Sequence, residues 1–287
     1  MKPKFLFRLL PAFMLALSLS AAANAQTTPP KVYSEVYYHK LKPGHTFAEA
    51  RAVENEFKKL HQTQANEGFI LGWYMLALEM TTNPGKEFDY VTIKVMSNPA
   101  YFDNSYPQKY FTAVMGADYQ TKLTDLYKRM GEVKEVVKTE IWENLESASA
   151  AATVLPTPDK FPVWLNTTYK AKEGQYDEYM NRVKKQKAYS QERINSGDGV
   201  TWNFSGLMLP WSAEKAYDFS SIITFPTMQS LLTSYGNSGE AAFKKTMPGV
   251  DMKQYYKELE AMRTVGRQEI YYLLEYAVRN PAETARK

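Results

Sequence analysis

Cysteine is absent from the 287-residue sequence, which removes thiolate nucleophiles, disulfide exchange, iron–sulfur clusters and cysteine-ligated zinc together. Stability after export would then rest on noncovalent packing. Histidine is scarce as well. The three histidines, His39, His45 and His61, show none of the close helical or strand pairing that metal ligands need, so no metal is expected. No GxSxG elbow, Walker loop, GxGxxG turn or HExxH helix appears, so those common signatures of hydrolases, nucleotide binders and zinc proteases are missing. An excess of one charge is also missing. The formal charge is +4, and Lys2, Lys4 and Arg8 fall in a segment read below as removed, which leaves about +1. That is too little for the basic field that nucleic acid or an anionic membrane requires, so no nucleic-acid partner is expected.

Long apolar runs are confined to the start. Lys2, Lys4 and Arg8 precede the apolar stretch Leu9 to Leu19, and small residues follow, ending in Ala23, Asn24 and Ala25. This is the pattern of a secretory signal peptide over residues 1–25, cleaved before Gln26. No later segment approaches eighteen uninterrupted apolar residues. The expectation is an exported protein, periplasmic or extracellular, with no stable membrane insertion once the signal is removed.

What the chain does contain is a weak internal repeat. Residues 147–159 (SASAAATVLPTPD) lack apolar periodicity and read as a linker between residues 32–146 and 160–278, with 279–287 as a tail. On each side the same order of elements recurs. In the first half a strand over Val32 to Leu41 leads into a helix carrying Phe47, Ala50, Val53, Phe57 and Leu60 at helical spacing. Thr46 and Glu49 form a capping box at its start. Strands over Phe69–Met80 and Phe88–Met96 follow, then a tyrosine-rich stretch read as irregular, a helix over Asp118–Met130 and a strand over Val136–Leu145. The second half predicts strand Val163–Lys170, helix Tyr176–Ile194, strands Val200–Leu209 and Tyr217–Phe225, helix Met252–Met262 and strand Gln268–Tyr276. Gly44 matches Gly174, Gly68 matches Gly199, Phe88-Asp89 matches Tyr217-Asp218 and Glu140-Ile141 matches Glu269-Ile270, at offsets of about 130.

Strand, helix, strand, strand, helix, strand is the split βαβ or ferredoxin-like order, with an antiparallel sheet. Phe69, Leu71, Trp73 and Met75 alternate with Ile70, Tyr74, Leu76 and Leu78, so both faces of that strand are apolar and both must be covered. The simplest cover for the second face is the other repeat's sheet, packed face to face. The chain thus resembles the dimeric α/β-barrel superfamily, in particular its fused two-repeat members. Its opening EVYYHKLKPGHTFAEA, Glu35 to Ala50, is similar to the first strand and helix of the NIPSNAP-like and antibiotic-biosynthesis-monooxygenase-like branches. The fold expected is α+β, with tandem ferredoxin-like βαββαβ repeats whose antiparallel sheets make one α/β barrel.

The resemblance implies an interior that holds a small apolar or aromatic compound, or a haem in the chlorite dismutase and dye-decolourising peroxidase relatives. Those haem proteins take their axial histidine from the second unit, whereas all three histidines here lie in the first, so no cofactor is expected. The cofactor-free monooxygenases of the superfamily use pocket asparagine and tryptophan, which Trp164 and Asn166 on one face of a strand resemble.

Glu35, Tyr37 and His39 alternate on one face of the first strand, and a carboxylate beside an imidazole is what acid–base chemistry uses. The bland reading of the trio is an exposed cross-strand polar face or a salt bridge. The expectation tested below is that the three point into the barrel, beneath a lid containing Tyr101, Phe102, Tyr106, Tyr110 and Phe111. Two functions follow: an exported protein binding a small apolar or aromatic molecule, or a cofactor-free oxygenase or isomerase using the same cavity. A second copy of the chain, in a homo-oligomer, is the other candidate partner. Amino-terminal sequencing of the secreted protein is expected to begin at Gln26; a membrane-embedded protein beginning at Met1 would overturn the export reading.

Overall fold

The computed structural model describes residues 31–150, 156–212, 214–237 and 239–279. The expected signal peptide, residues 151–155 of the expected linker and all but the first residue of the expected tail lie outside them. Eight strands, β1 (Val32–Leu41), β2 (Gly72–Thr81), β3 (Tyr90–Met96), β4 (Lys134–Ser149), β5 (Val163–Ala171), β6 (Thr201–Leu209), β7 (Phe219–Phe225) and β8 (Arg263–Val278), form a closed barrel in the order β1-β3-β2-β8-β5-β7-β6-β4. Every pairing is antiparallel. Among the described residues seven α-helices accompany them: α1 (Phe47–Asn66), α2 (Gln108–Met115), α3 (Tyr119–Val133), α4 (Tyr176–Asn195), α5 (Met228–Gly236), α6 (Glu240–Thr246) and α7 (Met252–Met262).

The local chemistry explains where these elements begin. Thr46 caps α1 through the reciprocal bonds of a capping box, its Oγ1 accepting from Glu49 N and its own N donating to Glu49 Oε2. Asp89 Oδ2 accepts from Leu41 N at 2.8 Å, and Asp218 Oδ2 accepts from Ala171 N at 2.8 Å. The two aspartates therefore make the same bond at corresponding strand ends, β1 in one half and β5 in the other.

Most strands bury both faces over their central residues. On β2, Trp73 and Met75 pack outward with Ala50 and Ile70, while Tyr74, Leu76 and Leu78 pack inward with Val36, Ile93, Trp164 and Leu273. The sequence reading covers the second face by stacking one sheet on the other. The structure also joins the sheets along their edges, β2 running beside β8 from Gly72↔Val278 to Thr81↔Glu269, and β4 beside β6 from Ile141↔Leu209 to Ser149↔Thr201. Glycine at 72 permits the first seam, since a Cβ there would come within 3.1 Å of Val278 Cγ1.

Two expectations change in detail. β4 continues to Ser149, with Ala148 buried, because its last residues pair with β6; Ser147, Ala148 and Ser149 therefore belong to the sheet and not to a linker. The tyrosine-rich stretch is not irregular throughout. It contains a short 3-10 turn at Pro99–Phe102, started by Asn98 Oδ1 accepting from Ala100 N, and then α2.

Separated from its partner half, residues 32–146 would expose the β2 and β4 edges and an apolar face, both of which promote association. Light scattering of that fragment is expected to show multimers or aggregate. A soluble, cooperatively folding monomer would argue against a shared core.

Candidate functional site: the barrel cavity and its floor

The barrel encloses a cavity of about 680 Å³. Its walls differ in chemistry because different strands supply them. Strands β1 to β3 contribute Val36, Tyr74, Leu76, Val91, Ile93 and Val95, whereas β6 and β7 contribute Thr201, Asn203, Ser205, Ser220 and Thr224. The first wall is mainly apolar, interrupted by Ser34 and Tyr38, and the second carries hydroxyls and an amide beside Ile222. Much of the polar wall is satisfied within the protein: Thr201 and Thr224 hydroxyls lie 2.8 Å apart, and Ser220 Oγ donates to Asn166 Oδ1 at 2.6 Å. Asn144 Oδ1, also on the lining residues, is buried without a hydrogen-bond partner.

Below the cavity lie two carboxylates that the barrel buries. Glu140 on β4 accepts from Tyr38 Oη at 2.7 Å, from Tyr217 Oη at 2.6 Å and from Trp142 Nε1 at 3.2 Å, and lies 3.1 Å from Lys138 Nζ. Glu269 on β8 accepts from Tyr271 Oη at 2.7 Å and Asn166 Nδ2 at 3.1 Å, and pairs with Arg267 Nε at 2.9 Å. Arg267 Nη2 donates to Tyr217 Oη at 3.2 Å, which joins the two halves of the network. Two anions and two cations balance, and each carboxylate is surrounded by donors, the condition for burying charge without a prohibitive penalty. Burial first, and the neighbouring carboxylates second, push the Tyr38 and Tyr271 hydroxyls well above the ordinary tyrosine range, so both stay protonated. Burial lowers the Lys138 ammonium, against the pull of Glu140.

Strand alternation generates this floor. Lys138, Glu140 and Trp142 stand two apart on β4, and Arg267, Glu269 and Tyr271 stand two apart on β8, so each trio shares a face. Tyr38, Trp142, Asn166 and Tyr271 reach the cavity. The matched glutamates were visible in the sequence as a repeated pair, and each is flanked two residues away by a cation and an aromatic. That recurrence of a charged, charged, aromatic face, at Lys138, Glu140 and Trp142 and at Arg267, Glu269 and Tyr271, is the sequence signal that marks this floor.

The other candidates separate. Trp164 and Asn166 line the cavity. Glu35, Tyr37 and His39 do share a face, but it is the opposite one: the cavity takes Val32, Ser34, Val36 and Tyr38, and the trio points under the helices. There Lys94 Nζ lies 2.9 Å from Glu35 Oε2, and Lys134 Nζ contacts both Glu54 and His39 Nδ1. His39 also stacks on Tyr90 at 4.5 Å and meets Thr92 Oγ1 at 2.9 Å. Burial, then the Lys134 charge, holds the His39 imidazole well below its ordinary range. The interior reading of the trio is therefore corrected, because α1 supplies Glu54 as a charge partner and the helix layer of this half contains ion pairs. The lid is corrected with it. Tyr101 stacks on Phe69 at 4.2 Å, Tyr110 lies 5.3 Å from the same ring, and Tyr106 sits over Lys94 at 4.4 Å. Tyr101, Tyr106 and Tyr110 cover the helix side of the sheet and do not line the cavity.

Comparison of folds places this barrel among known structures. A candidate monooxygenase from Fusobacterium nucleatum subsp. nucleatum ATCC 25586 aligns with a TM-score of 0.56 at 10% identity, over 88% of this chain and 97% of that chain. An anthrone oxidase-like protein aligns at 0.51 and 8% identity, over 86% of this chain and 92% of that one. A candidate monooxygenase from Lactobacillus acidophilus NCFM aligns at 0.51 and 13% identity, over 88% and 97%. This chain shares their fold, an α+β arrangement with a closed eight-stranded antiparallel barrel. No protein-family model and no curated protein matches the sequence.

Removing one partner of a buried ion cluster leaves the rest unpaired, which typically costs about 3–5 kcal/mol. Glu140→Ala strands two phenols, an indole N–H and Lys138, so its unfolding free energy is expected to fall by roughly that amount. Tyr38→Phe removes one donor and is expected to cost only about 1–2 kcal/mol. Chemical denaturation of both variants measures the difference; equal costs would show that Glu140 does not anchor the floor.

Proposed function

We propose that this chain is an exported protein that holds a small apolar or aromatic molecule inside its barrel. The observation that carries the reading is the two-sided cavity: about 680 Å³, mainly apolar on the β1–β3 side and mainly hydroxyl-bearing on the β6–β7 side. A space of this size is within the range of small-molecule sites, and an apolar pocket with a few polar groups is their usual composition. Trp142, Trp164, Tyr74 and Tyr271 offer flat faces to a planar ligand. We further read the chain as two tandem ferredoxin-like repeats of the NIPSNAP-like or antibiotic-biosynthesis-monooxygenase-like kind. Support for the repeat comes from the strand orders β4-β1-β3-β2 and β8-β5-β7-β6 within the barrel and from the matched Asp89 and Asp218 bonds. Export rests on the amino-terminal sequence pattern.

A second reading, a cofactor-free oxygenase or isomerase, is favoured by one specific feature. Tyr38 and Tyr271 reach the cavity with their hydroxyls bonded to Glu140 and Glu269. Each pair could accept a ligand proton at the phenol oxygen while the phenol proton passes to the carboxylate, so charge moves without a free phenolate. An oxygenase would then take molecular oxygen as its co-reactant. The names of the Fusobacterium and Lactobacillus proteins and of the anthrone oxidase-like protein point the same way, though the likeness to this chain is one of fold.

The native secreted protein is expected to carry an extractable small molecule, seen by absorption and by mass spectrometry of the extract, or to bind a hydrophobic naphthalene dye. Ile93→Trp, which fills the apolar side, should reduce retention or dye binding by about tenfold. A protein that carries nothing and binds no dye, or an unaffected Ile93→Trp variant, would overturn the binding reading. Hydrogen–deuterium exchange at an acidic ligand C–H that is lost in Tyr38→Phe would favour the second.

A further inference from the structure

Outside the barrel, between the sheet and the helices of the second half, lies a smaller pocket of about 190 Å³. Its walls are aromatic, with Tyr169 and Phe204 from the strands and Tyr179, Tyr189 and Tyr256 from the helices. Three charged side chains face it: Arg193, Asp198 and Arg263. The first two neutralise each other, with Arg193 Nε 3.1 Å from Asp198 Oδ2, and Asn237 Nδ2 donates to the same oxygen at 2.7 Å. Arg263 has no such counterpart. Its Nε and Nη1 are buried without a hydrogen-bond partner, and no ion pair to it occurs among the described residues. The guanidinium lies 4.0 Å from the Tyr169 ring centroid and 5.6 Å from that of Tyr179. Those faces stabilise a cation, but they do not accept its in-plane N–H bonds. A buried donor left open in this way calls for an acceptor.

We propose that this pocket is a binding site for a small aromatic carboxylate. The carboxylate pairs with Arg263, the strongest pairing a guanidinium makes, and the ring lies among Tyr169, Tyr179, Phe204 and Tyr256. Size agrees with this class, because an apolar cavity of about 150 Å³ suffices for benzene and this pocket is larger. The site is independent of the barrel reading, since none of its residues lines the barrel cavity.

Calorimetric titration of the whole secreted chain with benzoate and with neutral benzamide tests it. Benzoate is expected to bind saturably and about tenfold more tightly than benzamide, and Arg263→Met to weaken benzoate by about tenfold. Ile222→Phe, which narrows the barrel cavity, should leave benzoate affinity within about twofold. Absence of saturable benzoate binding, equal affinity for benzamide, an unchanged Arg263→Met variant, or an Ile222→Phe loss as large as that of Arg263→Met would each overturn the proposal. Should Arg263→Met fail to fold, Arg263→Gln decides, because it keeps a polar side chain and removes the charge: a lost preference for benzoate over benzamide supports the site, and a retained preference overturns it.

Discussion

Closing the sheet into a barrel between helices and a cavity buries both faces over most of its strand residues, and the remaining features follow from that constraint. A half-exposed strand can place its polar residues outward and leave them to water. Over most of the barrel one face meets helices and the other meets the cavity, with the strand ends at residues 135–137 and 264–266 left exposed. Charged residues on these strands must therefore find partners inside the protein. Glu35 finds Lys94, His39 finds Lys134 and Thr92, Glu140 finds two tyrosines and Lys138, and Glu269 finds Tyr271 and Arg267. The edges obey the same logic. Each half would offer unpaired β2 and β4, or β6 and β8, edges, and the two seams consume all four.

The two helix layers solve burial differently. Under α1 and α3 the interior contains ion pairs, Glu35–Lys94 and Glu54–Lys134, with His61 stacked on Trp73 at 5.1 Å. Burial, and then the Lys94 charge, push the His61 imidazole down to about 3. Because this folded-state value lies below the ordinary one near 6.5, the unfolded chain binds the proton first. The neutral ring then favours folding above about pH 6.5, and that contribution is lost as pH falls toward 3. Under α4 and α7 the interior is instead aromatic, with Tyr179, Phe204, Phe219, Phe243 and Tyr255 packed together, and no histidine takes part. Acid should therefore loosen the first layer before the second.

How far this was legible in the sequence depends on which question is asked. Element order was legible because apolar spacing and turn residues are local: α4 and α7 begin at Tyr176 and Met252 as the pattern predicts, and α1 begins at its capping box. The helices α2, α5 and α6 are short and lack a long apolar stripe, so periodicity did not announce them. The orientation of Glu35, Tyr37 and His39 was not legible for a deeper reason. Alternation assigns residues to two faces and polarity normally says which face is wet, but here both are buried and the test has no contrast. What decides the matter is Glu54 on α1 and Lys134 at the start of β4, partners that are distant in sequence. The floor was half legible, since Glu140 and Glu269 recur, but only barrel closure shows that Tyr38 and Tyr217 converge on one of them.

The asymmetry of the cavity bears most directly on what it can hold. At about 30 Å³ per water, a volume of 680 Å³ has room for roughly twenty waters. Water beside Thr201, Asn203 and Ser205 would find polar neighbours, whereas water beside Leu76, Val91 and Ile93 would not and would be poorly ordered. Displacing water of the second kind with an apolar group gains affinity, while displacing the first kind requires the ligand to supply hydrogen bonds in return. A uniformly greasy ligand would forfeit bonds on the β6–β7 side, and a uniformly polar one would gain nothing on the β1–β3 side. On the proposed binding function, the walls would favour a molecule with one more apolar edge and one polar edge, oriented relative to Tyr38 and Tyr271. Lys138 and Arg267 keep the floor neutral by balancing the two glutamates, so the polar edge need not carry a compensating charge.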